Sequence, residues 1–400
     1  MNKKIIKLLE RNSVQELQAY FADMPAGKPL DLHDELVLLE HFPETAVTTF
    51  INRFRFSEDA EKVFVQKAPG NLLRTYINFY GLWEKTQKFI IDSNLTDVAF
   101  EFIRMRRFAN VNYMLDKANP QVIRAYIQLN PLDSDKQVLK LLHHENKSLF
   151  KAYVDKGHFI SEQVQTTVIE ERNLSAFTAL MYKINRNFKK KARTMNFAQM
   201  HEKQVADIML AENLQVMVLD DSDRMFIELL LKTTPLAPEA QKLMFERNFD
   251  AEWFKLHAEH LYGVGGYRFE PEYEPKLFKL LASKDLDDCL TKFCQHDDVS
   301  FIQCASPKAI LKYIKDVWLS DEAQVALISR GNAELMQKLI SRYTPEHGLC
   351  EQAEIRLVEI ASPDTIKQYI SFHSMCRDAL VLLQKKSQET LDFYYAHHAY

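Results

Sequence analysis

The sequence predicts an all-α fold, a right-handed α-solenoid (superhelix) of stacked antiparallel helical hairpins. Three observations carry this. A two-helix pattern of about 26 residues recurs along the 400-residue chain, and self-similarity at such a period marks an array of repeated supersecondary units. Only nine glycines are present and no Val/Ile/Thr-rich alternating run occurs, so local preference is helical from end to end. The hydrophobic share of 46% supplies a continuous core for units that pack on their neighbours.

Each unit reads as a first helix A, a tight turn, and a second helix B that ends in an aromatic–aliphatic pair. The pairs run Tyr20-Phe21, Phe50-Ile51, Tyr76-Ile77, Phe102-Ile103, Tyr126-Ile127, Tyr153-Val154 and Met181-Tyr182. They resume at Leu230-Leu231, Leu256-His257, Phe293-Cys294, Tyr313-Ile314, Leu339-Ile340, Tyr369-Ile370 and Tyr394-Tyr395. The gap between Met181 and Leu230 is close to two periods and places one degenerate unit inside it. About fourteen to fifteen hairpins result.

The turns have their own signals. Asn119-Pro120, Ser306-Pro307 and Ser362-Pro363 each set a capping side chain before a proline, which suits the first helical position. Ser320-Asp321-Glu322 begins an A helix with a cap and two acids favoured by the helix dipole. Gly331-Asn332 and Gly70-Asn71 read as helix ends passing through a left-handed residue. Within B helices, Leu335, Met336, Leu339, Ile340 and Tyr343 form one broad apolar face that a neighbouring hairpin must cover.

Two stretches break the rhythm. A basic run from Arg186 to Phe197 lies in an irregular joint at 186–205, and a Gly/Tyr/Glu/Pro-rich insertion occupies 261–275. The expected layout is therefore repeats over 1–185, the joint, and repeats over 206–400 with the inserted loop, all in one continuous solenoid.

Net charge is −4 but uneven. Residues 1–200 carry 29 Lys/Arg against 23 Asp/Glu, and the remainder carries 22 against 32. The first half is thus about +6 and the second about −10, a polarity able to orient a charged partner. No apolar run reaches the roughly 18 residues of a membrane span, and the basic N-terminus is too interrupted for a signal peptide. Five cysteines (Cys289, Cys294, Cys304, Cys350, Cys376), odd in number, fit reduced thiols. A cytoplasmic protein without membrane contact is expected.

On this repeat pattern the chain resembles HEAT- or armadillo-like α-solenoids, and its short units are similar in length to leucine-rich-repeat-variant bacterial repeats. The resemblance rests on pattern over nearly the whole chain; the units are shorter than the usual HEAT length of about 40 residues. It implies a curved superhelix with a concave face that holds protein or nucleic acid.

Arg104, Arg106 and Arg107 form one basic cluster and Arg186, Lys189, Lys190, Lys191 and Arg193 another, the second flanked by Phe188 and Phe197. Phosphate contact is one reading; cations favoured at helix C-termini are the other. Tyr262, Tyr267 and Arg268 lie in the 261–275 insertion, expected to protrude and to touch a partner. Gly263 to Gly266 lacks the preceding strand of a phosphate loop. Cys289, Cys294, His296 and Cys304 lack zinc-site spacing, and His257-Ala-Glu-His260 lacks that of a zincin. Trp83, Trp253 and Trp318 read as core or groove packing. No nucleophile elbow, Walker motif or kinase set is present. No catalytic residue, metal or cofactor is therefore expected.

The expected function is that of a non-enzymatic scaffold binding a protein partner on the concave face. The alternative is a nucleic-acid-binding or DNA-repair solenoid of HEAT-like type that uses the clusters at 104–107 and 186–193.

Overall fold

The computed structural model describes residues 3–11, 13–25, 30–195, 208–220, 223–261, 264, 267, 269–282, 298–342 and 347–398. Among these residues there are 27 α-helices and no strand. The chain divides into two compact units, Met1–Lys183 and Ile184–Tyr400.

The hairpins of the first unit begin with Lys3–Glu10/Val14–Asp23, Leu32–His41/Glu44–Ile51, Glu58–Lys67/Gly70–Tyr80 and Glu84–Asp92/Thr96–Met105. Val111–Lys117/Pro120–Leu129, Asp135–His143/Ser148–Asp155 and Glu162–Glu170/Leu174–Ala192 follow, the last helix running across the division after Lys183. The second unit holds Glu212–Asp220/Arg224–Thr233, Pro238–Glu246/Ala251–His260 and the A helix Glu274–Ala282. It continues with Asp298–Cys304/Pro307–Asp316, Asp321–Ser329/Ala333–Ile340, Glu351–Ile360/Pro363–Ile370 and Arg377–Lys386/Gln388–His398. A helices pack on the A helices next to them and B helices on B helices, which is the contact pattern of a helical-repeat array.

Burial follows the periodicity. B helices bury two adjacent pairs one turn apart, such as Leu72-Leu73 with Tyr76-Ile77 and Val122-Ile123 with Tyr126-Ile127. Each fully buried aliphatic or aromatic side chain contributes about 1.5–3 kcal/mol. The caps at Asn119, Ser306, Ser320 and Ser362 each accept a backbone N–H of the first turn. Gly331 is left-handed, with φ of 66°. Gly70 is not: it opens the helix Gly70–Tyr80 instead of closing one, because Pro69 takes the preceding extended position.

A polar ladder, which the apolar periodicity does not announce, joins the repeats. Near the start of many A helices a buried Glu or Gln accepts a backbone N–H at the start of the next A helix. Glu35 binds Ser57, Glu61 binds Trp83, Gln87 binds Ala109, Gln215 binds Ala237, Gln324 binds Cys350 and Glu354 binds Cys376.

Whether the residue is acid or amide follows from its partner. Gln87, Gln215 and Gln324 use their NH2 groups to reach the carbonyl five residues back, at Leu82, Leu210 and Leu319. A carboxylate cannot donate, and its second oxygen needs a donor instead. Glu61 receives the Tyr76 hydroxyl at 2.8 Å, Glu354 the Tyr369 hydroxyl at 2.7 Å, and Glu35 the Ser57 hydroxyl. At the position fifteen residues after Gln87, Gln215 and Gln324 stand Phe102, Leu230 and Leu339, which carry no hydroxyl.

Tyr126 supplies the converse. Its place in the unit matches Tyr76, but Val111 stands where Glu61 does. Its buried hydroxyl has no hydrogen-bond partner among the described residues. Tyr126→Phe is therefore expected to be neutral or to stabilise by up to about 1 kcal/mol. A loss above that in denaturant unfolding would refute this account of the ladder.

Cations form a second link. Arg53 donates to the carbonyl of Phe21, Lys67 to Leu39, Arg330 to Ile302 and Ala305, and Lys386 to Val358 and Ala361. Each satisfies the unpaired C-terminal carbonyls of the equivalent helix one repeat earlier.

Candidate partner-binding surfaces

The 104–107 cluster is part of this linkage. Arg106 donates to the carbonyl of Asn78 at 2.7 Å and reaches that of Ile77, as a helix cap does. Arg107 binds Asn130 and Asp133 of the next repeat. Arg104 pairs with Glu101 at 2.9 Å. The three exposed side chains each answer acceptors of this chain, in three places.

Arg186, Lys189, Lys190 and Lys191 ride on the helix Leu174–Ala192, which continues into the stretch expected to be irregular, and Arg193 follows it. Arg186, Lys189, Lys190 and Arg193 are exposed and Lys191 is half-buried. Phe188 is fully buried against Ile208, Leu261 and Tyr267. It is a core residue and offers no stacking platform, while Phe197 lies outside the described residues. The two basic clusters fall in different units.

At its described residues the 261–275 insertion folds inward. Tyr262 and Arg268 lie outside them. Tyr267, expected on a protruding loop, is 1% exposed, and Phe269 and Tyr273 are also buried. Such aromatic density favours collapse onto the core over projection. The Tyr267 hydroxyl accepts the N–H of Leu236 at 2.8 Å and meets His257 Nε2 at 3.0 Å. His257 Nδ1 lies 2.8 Å from the carbonyl of Leu231. A carbonyl only accepts, so Nδ1 carries the proton, Nε2 accepts, and the Tyr267 hydroxyl donates to it. Burial holds the His257 pKa down to about 4 and keeps the ring neutral.

The two layers of the first unit differ on their outer faces. Ion pairs between repeats tie the A helices, Lys85 to Glu58 and Lys140 to Asp116, and His143 Nε2 lies 2.8 Å from the Glu171 carboxylate. The B helices expose a row of cations, Arg74, Arg104, Arg124 and Lys151, roughly one per repeat. The amides Asn71, Asn78, Gln121 and Gln128 lie beside them. Phe79 and Leu129, at matching positions near the ends of two B helices, are 56% and 59% exposed. Arg74 and Arg104 share Glu101, Arg124 binds the Ser148 hydroxyl, and Lys151 makes no ion pair among the described residues.

The tryptophans are more exposed than expected. Trp83 donates its indole N–H to the carbonyl of Phe56 and lies under the Arg55 guanidinium at 3.5 Å, yet 41% of it is open to solvent. Trp318 is 55% exposed beneath Arg342. Both cover repeat joints from outside, as amphipathic rings under cations do, and Trp253 is half-buried.

Among the described residues no three His, Cys, Asp or Glu side chains are grouped to hold a metal ion, and no helix is long and apolar enough to cross a membrane. Cys289, Cys294 and His296 lie outside those residues. No protein-family model, curated protein or solved structure matches this chain. The fold alone defines its class, an all-α array of stacked helical hairpins.

Proposed function

We propose that this chain is a non-enzymatic scaffold, a HEAT- or armadillo-like solenoid that holds a protein partner on its B-helix surface. The supporting observation is the contrast between the two layers of the first unit. The A-face charges named above pair across repeats, whereas the B face sets an exposed cation on each of four successive hairpins and exposed amides on alternate ones. Amides meet a peptide backbone as donor and acceptor, and spaced cations meet side-chain carboxylates. The carboxylates Asp97, Glu101 and Asp155 within the same row disfavour a continuous polyanion.

The test is cross-linking of the full chain to its partners in a nuclease-treated native lysate. Cross-links are expected on the B helices between residues 70 and 155, with capture falling at least tenfold in the variant Arg74→Glu/Arg124→Glu/Lys151→Glu. Capture that nuclease abolishes would replace this reading with the nucleic-acid one. That second reading draws on the exposed Lys189, Lys190 and Arg193. It requires affinity for a single-stranded oligonucleotide to fall steeply with salt.

A further inference from the structure

The A layer of the second unit is interrupted once among its described helices, and the cause is visible in the ladder. In most repeats the ladder N–H belongs to the residue next to the following A helix: Ser57, Trp83, Ala237, Cys350 and Cys376 stand directly before theirs. Gln241 instead accepts the N–H of Glu270 at 2.8 Å, and the next A helix begins only at Glu274. A turn closed from Tyr273 N–H to the Glu270 carbonyl fills the interval. The ladder is kept, but the helix it should position is displaced. Pro238–Glu246 and Glu274–Ala282 accordingly lack the close packing that joins the other consecutive A helices.

One buried position records the loss. Four residues after the ladder residue stand Leu39, Val65, Ile91, Leu219, Ile328 and Val358, all buried, on A helices that pack against the next A helix. The equivalent here is Phe245, which remains half-buried and leans on Phe254 and Tyr273 at ring distances of 4.7 and 5.3 Å. A groove of about 860 Å³ opens beside it, with Phe245, Phe249, Tyr273 and Leu280 along its floor.

We propose that this groove docks a basic amphipathic helix of a partner protein. The opening lies in a layer of helices that pack side by side, where ridges of one helix fit the grooves of another. The half-buried Phe245 holds the position that is buried in those six repeats, where consecutive A helices pack together. An occupant therefore presents apolar anchors at helical spacing, i, i+3 or i+4 and i+7. Its charge follows from the rim. Glu246 and Asp250 are exposed carboxylates on one wall, and Glu272 stands by the Tyr273 hydroxyl, holding that phenol up at about 12. Of the lining lysines, Lys242 pairs with Glu239 at 3.3 Å and Lys276 lies over the Tyr273 ring. The carboxylates left open attract lysine or arginine flanking the anchors.

The experiment displays a library of helical peptides to the full chain and measures selected binders by fluorescence anisotropy. Enriched peptides are expected to carry Lys or Arg around an apolar stripe. Phe245→Ala should weaken them more than tenfold. Glu246→Lys/Asp250→Lys, two exposed changes that leave the core intact, should also weaken them more than tenfold and lower the salt dependence. Circular dichroism confirms folding of each variant. Enrichment of acidic or extended peptides, or binders indifferent to both variants, would overturn the proposal. So would concentration-dependent dimerisation that protects Phe249 in place of peptide binding, since a second copy would then be the occupant. Arg124→Glu/Lys151→Glu in the first unit should leave these binders unchanged, which keeps this result separate from that of the B-helix surface.

Discussion

Glu61→Gln is expected to destabilise the first unit by about 2 kcal/mol and Tyr76→Phe by a similar amount, whereas the pair together should cost less than their sum. The reason is donor arithmetic. Tyr76 accepts the N–H of Phe56 at 3.2 Å and donates to Glu61, which also takes the N–H of Trp83 at 2.7 Å. An amide in place of the carboxylate turns a second donor on the tyrosine oxygen and leaves the hydroxyl hydrogen without an acceptor. Phenylalanine at 76 removes that conflict and reproduces the Gln87/Phe102 pairing, in which the amide reaches the carbonyl of Leu82. The N–H of Phe56 stays unpaired, so recovery is partial. A double-mutant cycle by denaturant unfolding, with hydrogen exchange over 58–92 to localise the effect, should give a coupling above about 1 kcal/mol. Additive losses would show that acid and hydroxyl do not act as a unit.

Acidity adds a second readout. Burial raises the Glu61 pKa despite Arg55 at 3.6 Å. A carboxyl raised on folding contributes stability that is fully present below its unfolded value, near 4.5, and lost as pH rises through the folded value. Glu61→Gln should abolish this part of the pH profile, while Tyr76→Phe alone should keep it.

The helices were legible because their signals are local and repeated. Pairs such as Tyr76-Ile77, caps such as Ser306-Pro307 and the scarcity of glycine each indicate the same element. The ladder was not legible, although Glu35, Glu61 and Gln87 stand 26 residues apart and Gln215 and Gln241 repeat the spacing. A lone polar residue on an apolar face looks like noise until a partner twenty-two residues away is seen to need it. Gly70 misled because a glycine before an asparagine resembles a helix end, and only Pro69 discloses a start. The 104–107 cluster misled for another reason. Sequence shows that three arginines are adjacent, but not that helical geometry sends them to three different acceptors. The insertion carried its interruption in plain view, yet its consequence lies in helices on either side of it, at Phe245 and Leu280.

The second unit is expected to lose up to about 3 kcal/mol of stability as pH falls from 6.5 toward 4, through His257. Its folded pKa, about 4, lies below the ordinary 6.5. A histidine depressed in this way contributes stability that is complete above the unfolded value and disappears as pH falls through the folded one. Protonation puts a hydrogen on Nε2, so the Tyr267 hydroxyl must turn to accept it and give its own hydrogen to the more distant Leu236 carbonyl at 3.4 Å, beside a charge in a site with no exposure to water. His257→Gln should lower stability at pH 7 and flatten the slope between 6.5 and 4. An unchanged slope would assign the acid response to other groups. The ring also meets Phe269 edge-on at 5.6 Å, so the same proton loosens the anchor of the inserted segment. Hydrogen exchange should therefore rise first at Phe269 and Tyr273, before the helices Glu212–Asp220 and Arg224–Thr233 open, because the Nδ1–H bond from His257 to the carbonyl of Leu231 survives protonation.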